Sequence, residues 1–205
     1  MGNDVMSMRR RLMAARPSGG LLPAEYQQIE YIESTGTQYI DTNLVGDLTS
    51  GELYVKFMII NGSPSNTQFI GTGVDTEHEL PKITFENNVV LRQKTNSSIA
   101  ERTVGAIYDV RVDANGNVYV NNDQTAEINT ITKISSSYKL FSVYPSAMQY
   151  AAKARLYGLS ILDIGAPIAH LIPCYRKQDN KPGLYDAVRQ LFLINSGSGE
   201  FSIPS

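Results

Sequence analysis

The sequence predicts an all-β protein, a two-sheet antiparallel β-sandwich preceded by a short helical or disordered leader. Three observations carry the prediction. Apolar residues recur at every second position in several short runs, and Gly, Asn, Ser and Pro clusters separate those runs. No sustained 3.6-residue periodicity appears beyond the leader.

Taken in order, residues 1–20 form an N-terminal basic leader and residues 21–205 the sandwich domain. In the leader, Met6, Met8, Leu12 and Met13 are apolar and Arg9, Arg10 and Arg11 cluster between them. Pro17-Ser18-Gly19-Gly20 ends the pattern. So short a helix is marginal in water because nucleation costs more than a few turns return, so the segment either frays or folds on a partner.

From Leu21 the texture changes. Leu53, Val55, Phe57 and Ile59 alternate with Tyr54, Lys56 and Met58, a period of two that suits a strand with one face in a core. Val104, Ala106, Tyr108, Val110 and Val112 repeat the pattern against Gly105, Asp109 and Arg111. Residues 155–161 repeat it again, and 118–120 and 138–143 supply further strands. Turn clusters lie between them at 61–64, Asn87-Asn88, 114–117 and 135–137.

Composition narrows the function. The chain has 205 residues and a net charge of −2, which gives the body no footprint for nucleic acid. The charge is unevenly placed: Arg9, Arg10, Arg11 and Arg16 against Asp4 give the leader about +3, leaving a mildly acidic body of about −5. A single cysteine, Cys174, excludes an internal disulfide and a multi-cysteine zinc site. No apolar run approaches the ~18–20 residues of a membrane span, and Leu12-Met13-Ala14-Ala15 falls short of the ~7–15 residues of a secretory core. The expectation is no signal peptide and no cofactor.

Two segments go beyond class. The first runs Leu22-Pro23-Ala24-Glu25-Tyr26, then Glu30-Tyr31-Ile32-Glu33-Ser34-Thr35-Gly36-Thr37-Gln38-Tyr39-Ile40-Asp41-Thr42. The second runs Ile172-Pro173-Cys174-Tyr175-Arg176-Lys177, then Gly183-Leu184-Tyr185-Asp186, then Asn195-Ser196-Gly197-Ser198-Gly199-Glu200-Phe201. Together they resemble the opening and closing signatures of the concanavalin A-like lectin/laminin-G-like jelly-roll family of phage structural proteins and gut-bacterial surface proteins. The resemblance brackets residues 22–203; the middle matches only in texture. It implies a jelly roll whose first and last strands lie close together, and a non-catalytic role in a phage tail, fibre or capsid decoration or in a surface adhesin. It also implies a virion location, other virion proteins as partners through the leader, and a homo-oligomer; the family does not fix a ligand, so a host-surface glycan stands beside a purely structural role that binds only other virion proteins.

The same residues read physically on their own. Alternation puts Tyr31 and Glu33 on one face and Glu30 and Ile32 on the other. Gly183, Gly197 and Gly199 mark close approach or positive φ, and Asp186 is placed to cap the turn at Ala187-Val188-Arg189.

For a glycan, the candidate contacts are Tyr54, Tyr144 and Tyr150, with Asn121, Asn122 and Asp123, because sugars bind aromatic faces flanked by planar polar groups. The alternative is a glycoside hydrolase of the jelly-roll glucanase type. In an extended strand Asp75, Glu77 and Glu79 share one face, and two carboxyls ~5–5.5 Å apart support retaining hydrolysis. Against it, the segment reads as a solvated loop between Gly71-Thr72-Gly73 and Leu80-Pro81, and the chain has no Trp. Asp113-Ala114-Asn115-Gly116-Asn117 spaces oxygens as a calcium loop does, but its Gly comes too early and Asn-Gly signals a hairpin turn. His170 and Cys174 form the remaining nucleophilic pair, with Cys174 in an apolar run where cysteine behaves as a small hydrophobe.

Overall fold

The computed structural model describes residues 22–60, 63, 67–73, 76–144 and 151–204. The leader, Asp75 and Tyr150 lie outside these residues. Every regular element among the described residues is a strand. The first eight are β1 (Tyr26–Gln28), β2 (Ile32–Thr35), β3 (Ile40–Asp41), β4 (Gly46–Ile59), β5 (Thr67–Gly71), β6 (Lys82–Phe85), β7 (Asn88–Arg92) and β8 (Asn96–Glu101). Next come β9 (Ile107–Val112), β10 (Asn117–Val120), β11 (Asp123–Glu127), β12 (Ile131–Ile134) and β13 (Lys139–Leu140). The chain closes with β14 (Lys153–Asp163), β15 (Ala166–Arg176), β16 (Lys181–Asp186) and β17 (Leu191–Ile194).

They form two antiparallel sheets packed as a jelly-roll-like sandwich. The large sheet runs β11-β10-β9-β4-β14-β15-β16-β17, and the small one β3-β13-β5-β6-β7-β8. The first half of β14 pairs with β2 and its second half with β15, while the far end of β15 pairs with β1. The N-terminal strands thus fill the splay between two long C-terminal ones. Glu33 also bridges Ser202, so the first and last described segments meet in one sheet.

The inward faces build one core. Leu53, Val55, Phe57 and Ile59 of β4 are buried, as their alternation predicts, and each such side chain contributes roughly 1.5–3 kcal/mol. Phe57 of the large sheet meets Phe69 and Phe85 of the small one at ring distances of 4.8 and 5.5 Å. Tyr138 is buried beneath the small sheet with its hydroxyl donating to the Pro81 carbonyl at 2.9 Å.

Several expectations need correction. The alternation read through residues 155–161 breaks at a bulge between Leu156 and Gly158, so the core residues Leu156 and Leu159 are three apart and Tyr157 is the extra residue. Val104 is exposed in a turn and β9 starts only at Ile107. The strand expected at 138–143 shortens to β13, because Phe141 sits at φ 68° and ends the extension while its ring still reaches the core.

The glycine expectations hold. A Cβ on Gly183 would stand 2.3 Å from the Leu193 carbonyl, and one on Gly197 2.3 Å from that of Thr37. Among the described residues no helix is long and apolar enough to cross a membrane.

Candidate functional site

One face of the large sheet lies against the small sheet, and the other carries its alternate residues outward. Strand register aligns five of these outward positions across neighbouring strands. Tyr119 of β10 opposes Arg111 of β9, Arg111 opposes Tyr54 of β4, Tyr54 opposes Ser160 of β14, and Ser160 opposes His170 of β15. Period-two alternation turns these side chains outward: Tyr54 lies between the core residues Leu53 and Val55, and Arg111 between Val110 and Val112.

Arg111 is the centre of the row. Its guanidinium lies 4.6 Å from the Tyr119 ring centroid and 5.9 Å from that of Tyr54, so a tyrosine from each neighbouring strand flanks it. Its side chain is 21% exposed, yet Nε is fully buried with no acceptor. Asp113 Oδ2 lies 3.6 Å from Nη2, an ion pair longer than a hydrogen bond. Asp113 is already occupied: Oδ1 accepts from the backbone N of Asn115 and Asn117 at 3.0 Å each, and Oδ2 from Asn117 Nδ2 at 3.0 Å. A buried donor without a partner costs about 1–3 kcal/mol.

The rest of the row is satisfied locally. The Tyr54 hydroxyl donates to Glu52 Oε2 at 3.1 Å, and burial, reinforced by the Glu52 charge, pushes its pKa up to about 12. Ser160 Oγ lies 2.7 Å from His170 Nδ1. Burial lowers the His170 pKa below its ordinary 6.5, partly opposed by Asp186, so the ring is neutral at neutral pH. Further along the face, Arg155 pairs with Glu33 at 2.6 Å and covers the Tyr31 ring at 4.3 Å.

The sequence-predicted candidates scatter. Tyr54 alone joins the row. Asn121 and Asn122, at φ 52° and 83°, form the tight turn between β10 and β11. The Asn121 side chain accepts from the backbone N of Asp109 at 3.0 Å, so it braces the turn. Asp123 is exposed at the start of β11. Tyr144 sits elsewhere, near Lys82 of the small sheet, its hydroxyl donating to Gly73.

Glu77 and Glu79 of the hydrolase alternative do not share a face. His78 takes φ 64°, which turns the chain between Glu77 and Glu79. Glu77 is exposed and paired with Lys94, beside an open depression of about 450 Å³ that His78 and Lys133 also line. Glu79 is 1% exposed and accepts from Ser135 N at 2.7 Å and Ser135 Oγ at 2.6 Å, which makes it a brace rather than part of a solvated loop. Residues 113–117 are the turn between β9 and β10, and no group of three His, Cys, Asp or Glu among the described residues is placed to hold a metal. Cys174 is buried, which pushes its thiol up to about 12, and the hydrogen bond of the His170 ring goes to Ser160.

Sequence reasoning missed Arg111, Tyr119, Ser160 and His170 as a group. Each stands at the polar position of a recognised alternation, but only register says which alternations lie side by side. No protein-family model matches the chain, and no curated protein matches it.

Proposed function

We propose that the chain is a non-catalytic lectin-like display module of a phage virion, a tail, fibre or capsid-surface component, that meets host-surface glycans through the outer face of its large sheet. The observation that carries this reading is the row Tyr119, Arg111, Tyr54, Ser160 and His170. It joins aromatic rings to fixed donors and acceptors on a rigid sheet, which is what a sugar needs: apolar C–H faces against rings and hydroxyls against planar polar groups. Strands hold such groups more firmly than loops do. The resemblance of residues 22–42 and 172–201 to phage structural and surface proteins supplies the setting. In that setting the basic leader attaches the module to other virion proteins, and the modules act as a homo-oligomer.

A glycan array with the full-length chain tests the reading, run beside Tyr119→Ala and the double variant Glu77→Gln, Glu79→Gln. Binding to a defined glycan that falls at least tenfold in Tyr119→Ala, with no hydrolysis, supports it. Binding lost only in the carboxylate double variant, or cleavage of the bound glycan, overturns it in favour of a hydrolase. No binding to any glycan also overturns it.

A further inference from the structure

We infer that Arg111 anchors a carboxylate, so that the outer face takes an acidic glycan, one whose sugar carries a carboxyl group as a uronic or sialic acid does. This rests on the glycan-binding reading and adds the chemical class of the ligand. Donors and acceptors along the row do not balance. Glu52 accepts from Tyr54, and Asp113 accepts from Asn115 and Asn117. Arg111 forms an ion pair with Asp113 at 3.6 Å, too far for a hydrogen bond, and its guanidinium donates to no acceptor among the described residues; its Nε is buried, so the part open to a ligand is the outer edge of the guanidinium. Among the described residues the row therefore has surplus donors concentrated on one planar cation.

The missing partner must bring acceptors. A sugar hydroxyl supplies one oxygen and needs an acceptor of its own. A carboxylate supplies two coplanar oxygens at the spacing of the guanidinium fork and needs no donor slot of its own. Tyr119 and Tyr54 flank the guanidinium from the two neighbouring strands, so its plane is set before a ligand arrives and little rotamer freedom is lost on binding. Partial burial weakens screening by salt, which strengthens a single charged contact there. Tyr54 separates the anchor from Ser160, which is buried and bonded to His170, so the carboxylate contact falls on Arg111 between its two rings.

The test uses the full-length chain and three polysaccharides, polygalacturonate, hyaluronan and polysialic acid, each beside its carboxyl-reduced form, with a phosphomannan as a second anion. The expected result is binding of at least one acidic polymer at least tenfold tighter than its reduced form. Arg111→Gln should remove that preference. Arg111→Lys, which keeps the charge but not the fork, should restore less than half of it in log affinity. Equal affinity for intact and reduced polymers, or retention of the preference in Arg111→Gln, overturns the inference while leaving glycan binding standing. So does stronger binding to phosphomannan than to any carboxylate. Failure to bind these polymers and every neutral glycan overturns both readings together. Should Arg111→Gln not fold, the wild-type ratio between intact and reduced polymers decides alone.

Discussion

Arg189 and Arg111 have the same side-chain exposure, 21%, and each pairs with an aspartate, but the fold meets their donors to different extents. Arg189 lies in the turn between β16 and β17. Its Nε donates to Asp186 Oδ2 at 2.6 Å and its Nη1 to the Thr42 carbonyl at 2.9 Å, just past β3. Asp186 is fully buried and also accepts from the backbone N of His170, Val188 and Arg189. This cluster ties the end of the large sheet to the edge of the small one. Arg111 is flanked by two rings, pairs with Asp113 only as an ion pair at 3.6 Å, and donates a hydrogen bond to no described acceptor. The contrast is one of degree: Arg189 keeps one buried Nη2 without a partner but donates through Nε and Nη1 to the fold, whereas Arg111 donates no hydrogen bond among the described residues.

Substitution at the two clusters should give unequal costs. Asp186→Ala should cost about 3–5 kcal/mol, because it strands Arg189 and three backbone donors. Urea unfolding should show this as a lower midpoint at unchanged slope. Arg111→Met should change stability by less than about 1 kcal/mol, since the lost ring contact is offset by removal of an unmet donor. Equal costs for the two substitutions would erase the distinction.

A pH series sharpens the comparison at the neighbouring site. Burial holds the His170 pKa below 6.5, so as pH falls the unfolded chain takes up its proton first. The stability this residue contributes is complete above about 6.5 and is lost as pH drops toward the lower folded value. His170→Gln should therefore flatten the fall of Tm between about pH 7 and 5. The smallest effect belongs to the turn. Asn122→Gly should gain about 0.5 kcal/mol, because glycine takes the left-handed conformation more readily. It should leave glycan binding unmoved, separating the turn from the row.

Most of the fold was legible in the sequence. The alternation at Leu53 to Ile59 names its own inward face, and Asn115-Gly116 and the glycines at 183 and 197 announce their turns and close approaches. The bulge at Tyr157 was not legible, because a one-residue insertion looks like continued alternation until the partner strand is known. The site was legible only in part, for the same reason. Tyr54 was a candidate as an aromatic on a strand's polar face, but which residues flank it depends on β9 and β14, distant in sequence. Glu79 misled because spacing alone assumes an extended chain, and the left-handed His78 removes that assumption.

The pairing of β4 has a consequence for how the molecule is made. The small-sheet hairpins close locally, as where Phe85 meets Val89 and Arg92 meets Asn96. β4 cannot do this, since Leu53 pairs with Val112 on one side and Ile161 on the other. On the ribosome its apolar face emerges early, and β14 arrives only after most of the chain has been synthesised. Loop closure of that length makes folding slow, and until it is complete the unpaired edge of β4 is open to the same strand in another nascent chain. Where many copies are produced together, yield is then set by a race between closure and mispairing, which lower growth temperature or slower translation should tip toward the folded product.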